Sequence, residues 1–167
     1  MLENYKKHVA ERAEQNIPPL PLDADQTSEL IELLKKDHQE SDFLLNLLKE
    51  RVPAGVDQAA YVKAAFLADI TTGKASSPYI TKIDAVKILG TMLGGYNIQP
   101  LIECLKDNEL AEAAAHVLSR TLLIFDAFNE IFELSKTNEH AKKVVEEWAN
   151  ATWFTEKTDI EEKIKLT

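Results

Sequence analysis

The amino-acid sequence predicts an all-α fold of stacked antiparallel helix hairpins, and three observations predict it. Gly (5) and Pro (6) make up 11 of 167 residues, where average usage would give roughly 12%, and turn-dense β architectures need more of both. Leu30-Ile-Glu-Leu-Leu-Lys-Lys36, Leu44-Leu-Asn-Leu-Leu-Lys-Glu50 and Leu101-Ile-Glu-Cys-Leu-Lys-Asp107 repeat one pattern of apolar pair, polar, apolar pair, charged pair. The last two copies are each followed by an Ala-rich segment, 59–70 and 110–118, which makes the unit a helix hairpin. Between Ala59 and Ile70 only Lys63 and Asp69 are charged, so that helix needs cover on more than one side, and its alanines permit close approach. Hairpins that bury their neighbours in this way form a short HEAT-like α-solenoid.

The elements follow in order. Leu2, Tyr5, Val9 and Ala13 recur at helical spacing among charged residues, predicting an amphipathic helix over 1–15 that docks weakly. The prolines of Ile17-Pro-Pro-Leu-Pro-Leu22 remove donors and extend their predecessors, making a stiff connector. Residues 1–22 therefore stand apart from a helical domain over 23–158. Within that domain Asp25 or Thr27 opens a helix through Lys35, Ser41 caps 42–51, and Asp57 caps a helix that stops before Gly73. Thr81 with Asp84 makes a capping-box start for a helix through Met92. Asn97 opens the next, with Pro100 in its first turn, and Asn108 and Asn138 are further N-caps. About eight helices result. Gly94-Gly95-Tyr96-Asn97 is then a demanding turn between hairpins. One of its glycines needs positive φ, Tyr96 is a staple onto the following helix or an exposed anchor, and its rim lies near a docking surface.

The side chains that could carry chemistry do not assemble into a catalytic pattern. One cysteine, Cys104, excludes an intrachain disulfide and any Cys-x-x-Cys or Cys-ligated centre built from this chain. It occupies an apolar slot of the repeat, which makes it a buried thiol. None of His8, His38, His116 and His140 stands three residues after a Glu, so the Glu-x-x-His signature of carboxylate-bridged metal sites is absent. His116 with Glu112 and Arg120 reads as a solvated polar stripe, and Asp126, Glu130 and Glu133 as a charge row. Phe125, Phe128 and Phe132 read as core, with Trp148, Trp153 and Phe154 closing its C-terminal end. Catalytic, cofactor-binding and metal-ligating residues are accordingly none.

A net charge of -9 repels phosphate backbones and anionic lipid, so RNA binding by this domain alone and membrane binding are disfavoured. The lone cysteine and the lack of an apolar N-terminal core fit a soluble, cytoplasmic protein.

Three stretches, 8–14, 48–64 (Leu-Lys-Glu-Arg-Val-Pro-Ala-Gly-Val-Asp-Gln-Ala-Ala-Tyr-Val-Lys-Ala) and 89–103 (Leu-Gly-Thr-Met-Leu-Gly-Gly-Tyr-Asn-Ile-Gln-Pro-Leu-Ile-Glu), strongly resemble the N-terminal domain of bacterial aconitase B, a family of bifunctional aconitate hydratases and 2-methylisocitrate dehydratases. The resemblance runs over essentially all 167 residues. It implies a HEAT-like domain ahead of a longer catalytic body whose [4Fe-4S] cluster is held by three cysteines, none of them in this chain. It also implies packing on the catalytic domains of the same chain, shaping of active-site access, homodimerisation, contacts with other metabolic enzymes, and messenger-RNA binding by the whole enzyme after cluster loss. Lys163-Ile-Lys-Leu-Thr167 starts a period-2 alternation like a strand, which makes 159–167 the start of a linker or strand leading to a further domain. The alternative is a free-standing helical-repeat adaptor that binds peptide or protein helices in a solenoid groove. A small helical-bundle enzyme is disfavoured by the missing ligand and triad patterns.

Overall fold

The computed structural model describes residues 2–121 and 124–151. Among the described residues the chain is helical: α1 Leu2–Glu14, α2 Ala24–Leu34, α3 Ser41–Asn46, α4 Gln58–Thr72, α5 Lys82–Leu89, α6 Ile98–Cys104, α7 Ala111–Leu118, α8 Phe128–Ser135 and α9 Glu139–Ala149. Sequential helices pair, α4 on α5, α6 on α7 and α8 on α9. Alternate ones pack too: α2 on α4, α5 on α7 and α7 on α9. The repeated motif supplies the buried side of this arrangement. Leu30, Ile31 and Leu34, then Leu44, Leu47 and Leu48, then Leu101, Ile102, Cys104 and Leu105 all lie in one core.

Several helix ends follow local chemistry. Asp57 Oδ1 accepts from Ala60 N at 3.1 Å and Gly73 closes α4 at φ +77°, where a left-handed residue reaches the last carbonyls. Thr81 and Asp84 form the reciprocal capping box, and Asn138 Oδ1 accepts from Ala141 N at 2.9 Å. Other ends differ from expectation. Asp23, not Asp25 or Thr27, caps α2, because Gln26 stands at the third helical position and returns a bond to the Asp23 backbone. Ser41 lies inside α3 after an uncapped Glu40. That helix does not run regularly to Arg51: Leu47–Arg51 widens into a π turn in which Val52 N donates to Leu47 O at 3.1 Å, and Pro53 forces Val52 into extended geometry. Asn108 caps nothing, because Asp107 makes the turn instead, its carboxylate taking Glu109 N and its carbonyl taking Ala111 N, both at 2.8 Å. The helix from Thr81 stops at Leu89 rather than Met92, with Gly90 as its C-cap.

The N-terminal arm is tied down at a few points. Tyr5 is the buried residue of α1, donating to Leu20 O at 2.9 Å and accepting from Arg51 Nε at 3.2 Å. Arg51 also donates to Pro19 O, and Leu22 N donates to Arg51 O at 2.8 Å. His8 Nε2 accepts from Leu20 N at 3.0 Å, and Lys6 pairs with Glu40 at 2.5 Å. The proline connector is thus pinned by its carbonyls, which remain free to accept even though its prolines cannot donate.

α8 departs most from expectation. Only Ile131 of that helix is buried, while Phe125, Phe128 and Phe132 are 58%, 46% and 44% exposed, so the phenylalanine row is surface and not core. The reason is geometric: α8 is covered chiefly by α9, and a one-sided contact buries one stripe of a helix. The rings cover one another instead, Phe128 stacking on Phe132 at 6.2 Å and on Trp148 at 5.9 Å. Trp148 is partly buried and donates to Leu118 O at 3.1 Å. Trp153, Phe154 and the strand-like segment 159–167 lie outside the described residues.

Candidate functional site

The turn Gly94-Gly95-Tyr96-Asn97 joins α5 to α6, and each of its residues has a separate reason to be there. Gly94 is a close approach: a Cβ there would stand 1.9 Å from Gly55 O, backbone against backbone. Leu93 N donates to Ala54 O at 2.8 Å beside it, so the turn is laid against the loop that leads into α4. Gly95 takes φ +91°, the left-handed conformation that a short reversal requires. A Cβ on Gly95 would meet the Phe125 ring at 3.0 Å.

Tyr96 acts backward along the chain. Its hydroxyl donates to Val56 O at 2.9 Å and its ring meets Tyr61 edge-on at 5.4 Å, so it clamps the turn to the start of α4 rather than stapling onto α6. Asn97 also serves the preceding element. Its Nδ2 donates to Leu89 O at 2.9 Å and Met92 O at 3.1 Å, adding a second bond to Leu89 O, which also takes Met92 N, and tying the turn to the end of α5. Asn97 therefore stands at the start of α6 without capping it by side chain, and its buried Oδ1 finds no partner.

Other candidates are placed as follows. His116, on the exposed face of α7, and Arg120, just past its C-terminal end, are both exposed, with Arg120 donating to His116 O at 3.0 Å. Glu130 accepts from Gln99 Nε2 at 3.2 Å. Among the described residues no group of three or more His, Cys, Asp or Glu side chains is placed to hold a metal ion. Cys104 is 3% exposed, and burial pushes its thiol pKa up, away from the reactive thiolate.

Sequence reasoning noted Lys63 as one of two charges in an apolar helix and did not single it out, yet Lys63 is 1% exposed in the middle of α4. Burial lowers its pKa to about 8, against the opposing pull of Glu50. Its position one turn after Ala59 and Ala60, both buried, was the available signal, since i, i+3 and i+4 share a face.

Comparison with known proteins decides the lineage. Residues 4–154 match the family described as Aconitate B N-terminal domain. The chain belongs to the aconitase B family. It is 54% identical to aconitate hydratase B of Escherichia coli and 53% identical to that of Synechocystis, each over all of this chain and 20% of the relative. Against aconitate hydratase B of Helicobacter pylori it is 47% identical over 98% of the chain. The chain thus spans about a fifth of the length of the curated aconitase B relatives it matches. Among the described residues no helix is long and apolar enough to cross a membrane.

Proposed function

We propose that this chain is the architectural and protein-contact domain of an aconitate hydratase of the B type, without chemistry of its own. One observation carries the reading: the chain has a single cysteine, and that cysteine is buried in the α6 repeat with its thiol held protonated. The [4Fe-4S] cluster and its three cysteines, implied by the resemblance, do not fit these residues and belong to the remainder of the enzyme, which interconverts citrate and isocitrate through cis-aconitate in the tricarboxylic acid cycle.

In this reading the helices form a short HEAT-like α-solenoid, which the pairing of sequential and alternate helices supports. The arm over 1–22, the helical domain over 23–158 and the lead over 159–167 into the next domain are its units. Its partners are the catalytic domains of the same chain, whose active-site access it shapes, a second copy in a homodimer, and other metabolic enzymes. It works in the cytoplasm, on no membrane, and a charge of -9 keeps RNA off this domain alone.

Anaerobic reconstitution of the chain with iron and sulfide tests the reading, with the visible spectrum and aconitate formation as readouts. The expected result is no cluster and no turnover. A stable brown cluster, one per chain, with turnover overturns it. Titration with labelled RNA at about 150 mM salt, where screening acts within roughly 8 Å, is expected to show no submicromolar binding.

A further inference from the structure

Five apolar or aromatic groups from different parts of the chain meet on one edge of the molecule. Val56 is 72% exposed, Leu93 64%, Phe125 58% and Tyr61 54%. They are continuous. Leu93 is bonded to the loop that carries Val56, Tyr96 links Val56 to Tyr61, and the Phe125 ring lies over Gly95. A run of this kind joined across three connections differs from the scattered exposed apolar residues of any surface. Phe125 adds a second observation. It is a non-glycine residue at φ +51°, a backbone conformation that bulky side chains rarely adopt, and it is held there with its ring half in water.

We infer that this edge, centred on Val56, Leu93 and Phe125, is the face on which the rest of the aconitase B polypeptide packs. The inference rests on the reading that this is a domain of the longer enzyme, and it names the surface. The occupant follows from two facts. The relatives are about five times as long as this chain, and the matched family is an N-terminal domain, so a large body follows it. The polypeptide also leaves α9 beside the stripe, because Trp148 stacks on Phe128, one turn from Phe125. A body tethered there meets the stripe at high effective concentration, so a modest apolar contact suffices to seat it.

The test is site-specific photocrosslinking in the full-length enzyme. p-Benzoylphenylalanine replaces Val56 or Leu93 in separate variants, and Lys74 in a third as the control. Lys74 follows Gly73 at the far end of α4, about 20 Å from Tyr61 at 1.5 Å per residue. Crosslinks from 56 and 93 to residues beyond 167 of the same chain, with few from 74, are the expected result. Crosslinks from 74 alone leave the docked-domain reading standing and overturn this face. Crosslinks from none of the three overturn both, and crosslinks between two copies make the stripe a subunit interface and overturn the inference. A Leu93→Asp variant gives an independent readout. It is expected to leave the melting of the 167-residue chain unchanged while speeding proteolytic release of the domain from the full-length enzyme several-fold; an unchanged release rate counts against the proposal.

Discussion

α4 and α8 both look apolar as strings of residues, yet they occupy opposite environments. α4 lies among α2, α5 and α6 and buries even the lysine at its centre. α8 rests chiefly on α9, buries Ile131, and leaves three phenylalanines of its segment roughly half exposed. The difference teaches that side-chain size worked against burial here. Ala59, Ala60 and Ala64 let neighbouring backbones close around α4 from several sides, whereas the bulky row on α8 has no second helix to receive it. Hydrophobicity selects which side of a helix faces inward, and the number of neighbouring helices selects how many sides are inward.

The comparison is sharpened most by paired truncations. Leu67→Ala in α4 removes a side chain with no exposure and is expected to cost 2–5 kcal/mol through lost burial and the cavity left behind, measured by urea unfolding; ~2–5 is the range for such core truncations. Phe132→Ala in α8 is expected to cost less than about 1 kcal/mol. Equal losses would mean that the α8 row is packed like core.

The turn against α4 comes next. Gly94→Ala forces a methyl into Gly55 O at 1.9 Å, and because both partners are backbone the chain must move, so destabilisation of about 2 kcal/mol or more is expected. Gly95→Ala carries the left-handed penalty, about 1 kcal/mol, and meets a Phe125 ring that can swing aside. Thermal melts of the two variants are expected to rank Gly94→Ala below Gly95→Ala. The reverse order would place the constraint in φ rather than in contact.

The buried charge adds a probe that pH can tune. Lys63 titrates at about 8 when folded and near 10.4 when unfolded, so its burial cost is fully present below pH 8 and fades as pH rises toward 10.4, where the unfolded chain binds the extra proton. Lys63→Met, which keeps length and removes charge, is expected to melt a few degrees higher than the parent at pH 7, with the gap narrowing by pH 10. A gap independent of pH would show that Lys63 reaches solvent in its charged form.

Legibility in the sequence tracks distance along the chain. Asp57, Thr81 with Asp84, Asn138 and the Gly73 stop were readable because a cap and its target lie within four residues. Asn108 and Ser41 misled for the same reason: several short polar residues stood near each start, and which one capped depended on the path of the incoming chain. Gly94 and Gly95 were readable as a tight reversal, whereas the roles of Tyr96 and Asn97 were not. Both turn back toward earlier segments, Tyr96 to a residue 40 positions away.

Helical class, the repeated buried motif and the burial of Cys104 follow from local pattern, since 3.6-residue periodicity and capping chemistry act within one or two turns, whereas the aconitase B lineage was legible in the resemblance carried by residues 8–14, 48–64 and 89–103. Tertiary packing alone settled which apolar residues stayed outside. Lys63 went under because three helices close on α4, and Val56, Leu93 and Phe125 met on one edge because separate connections emerge there, neither of which is a property of any window of sequence.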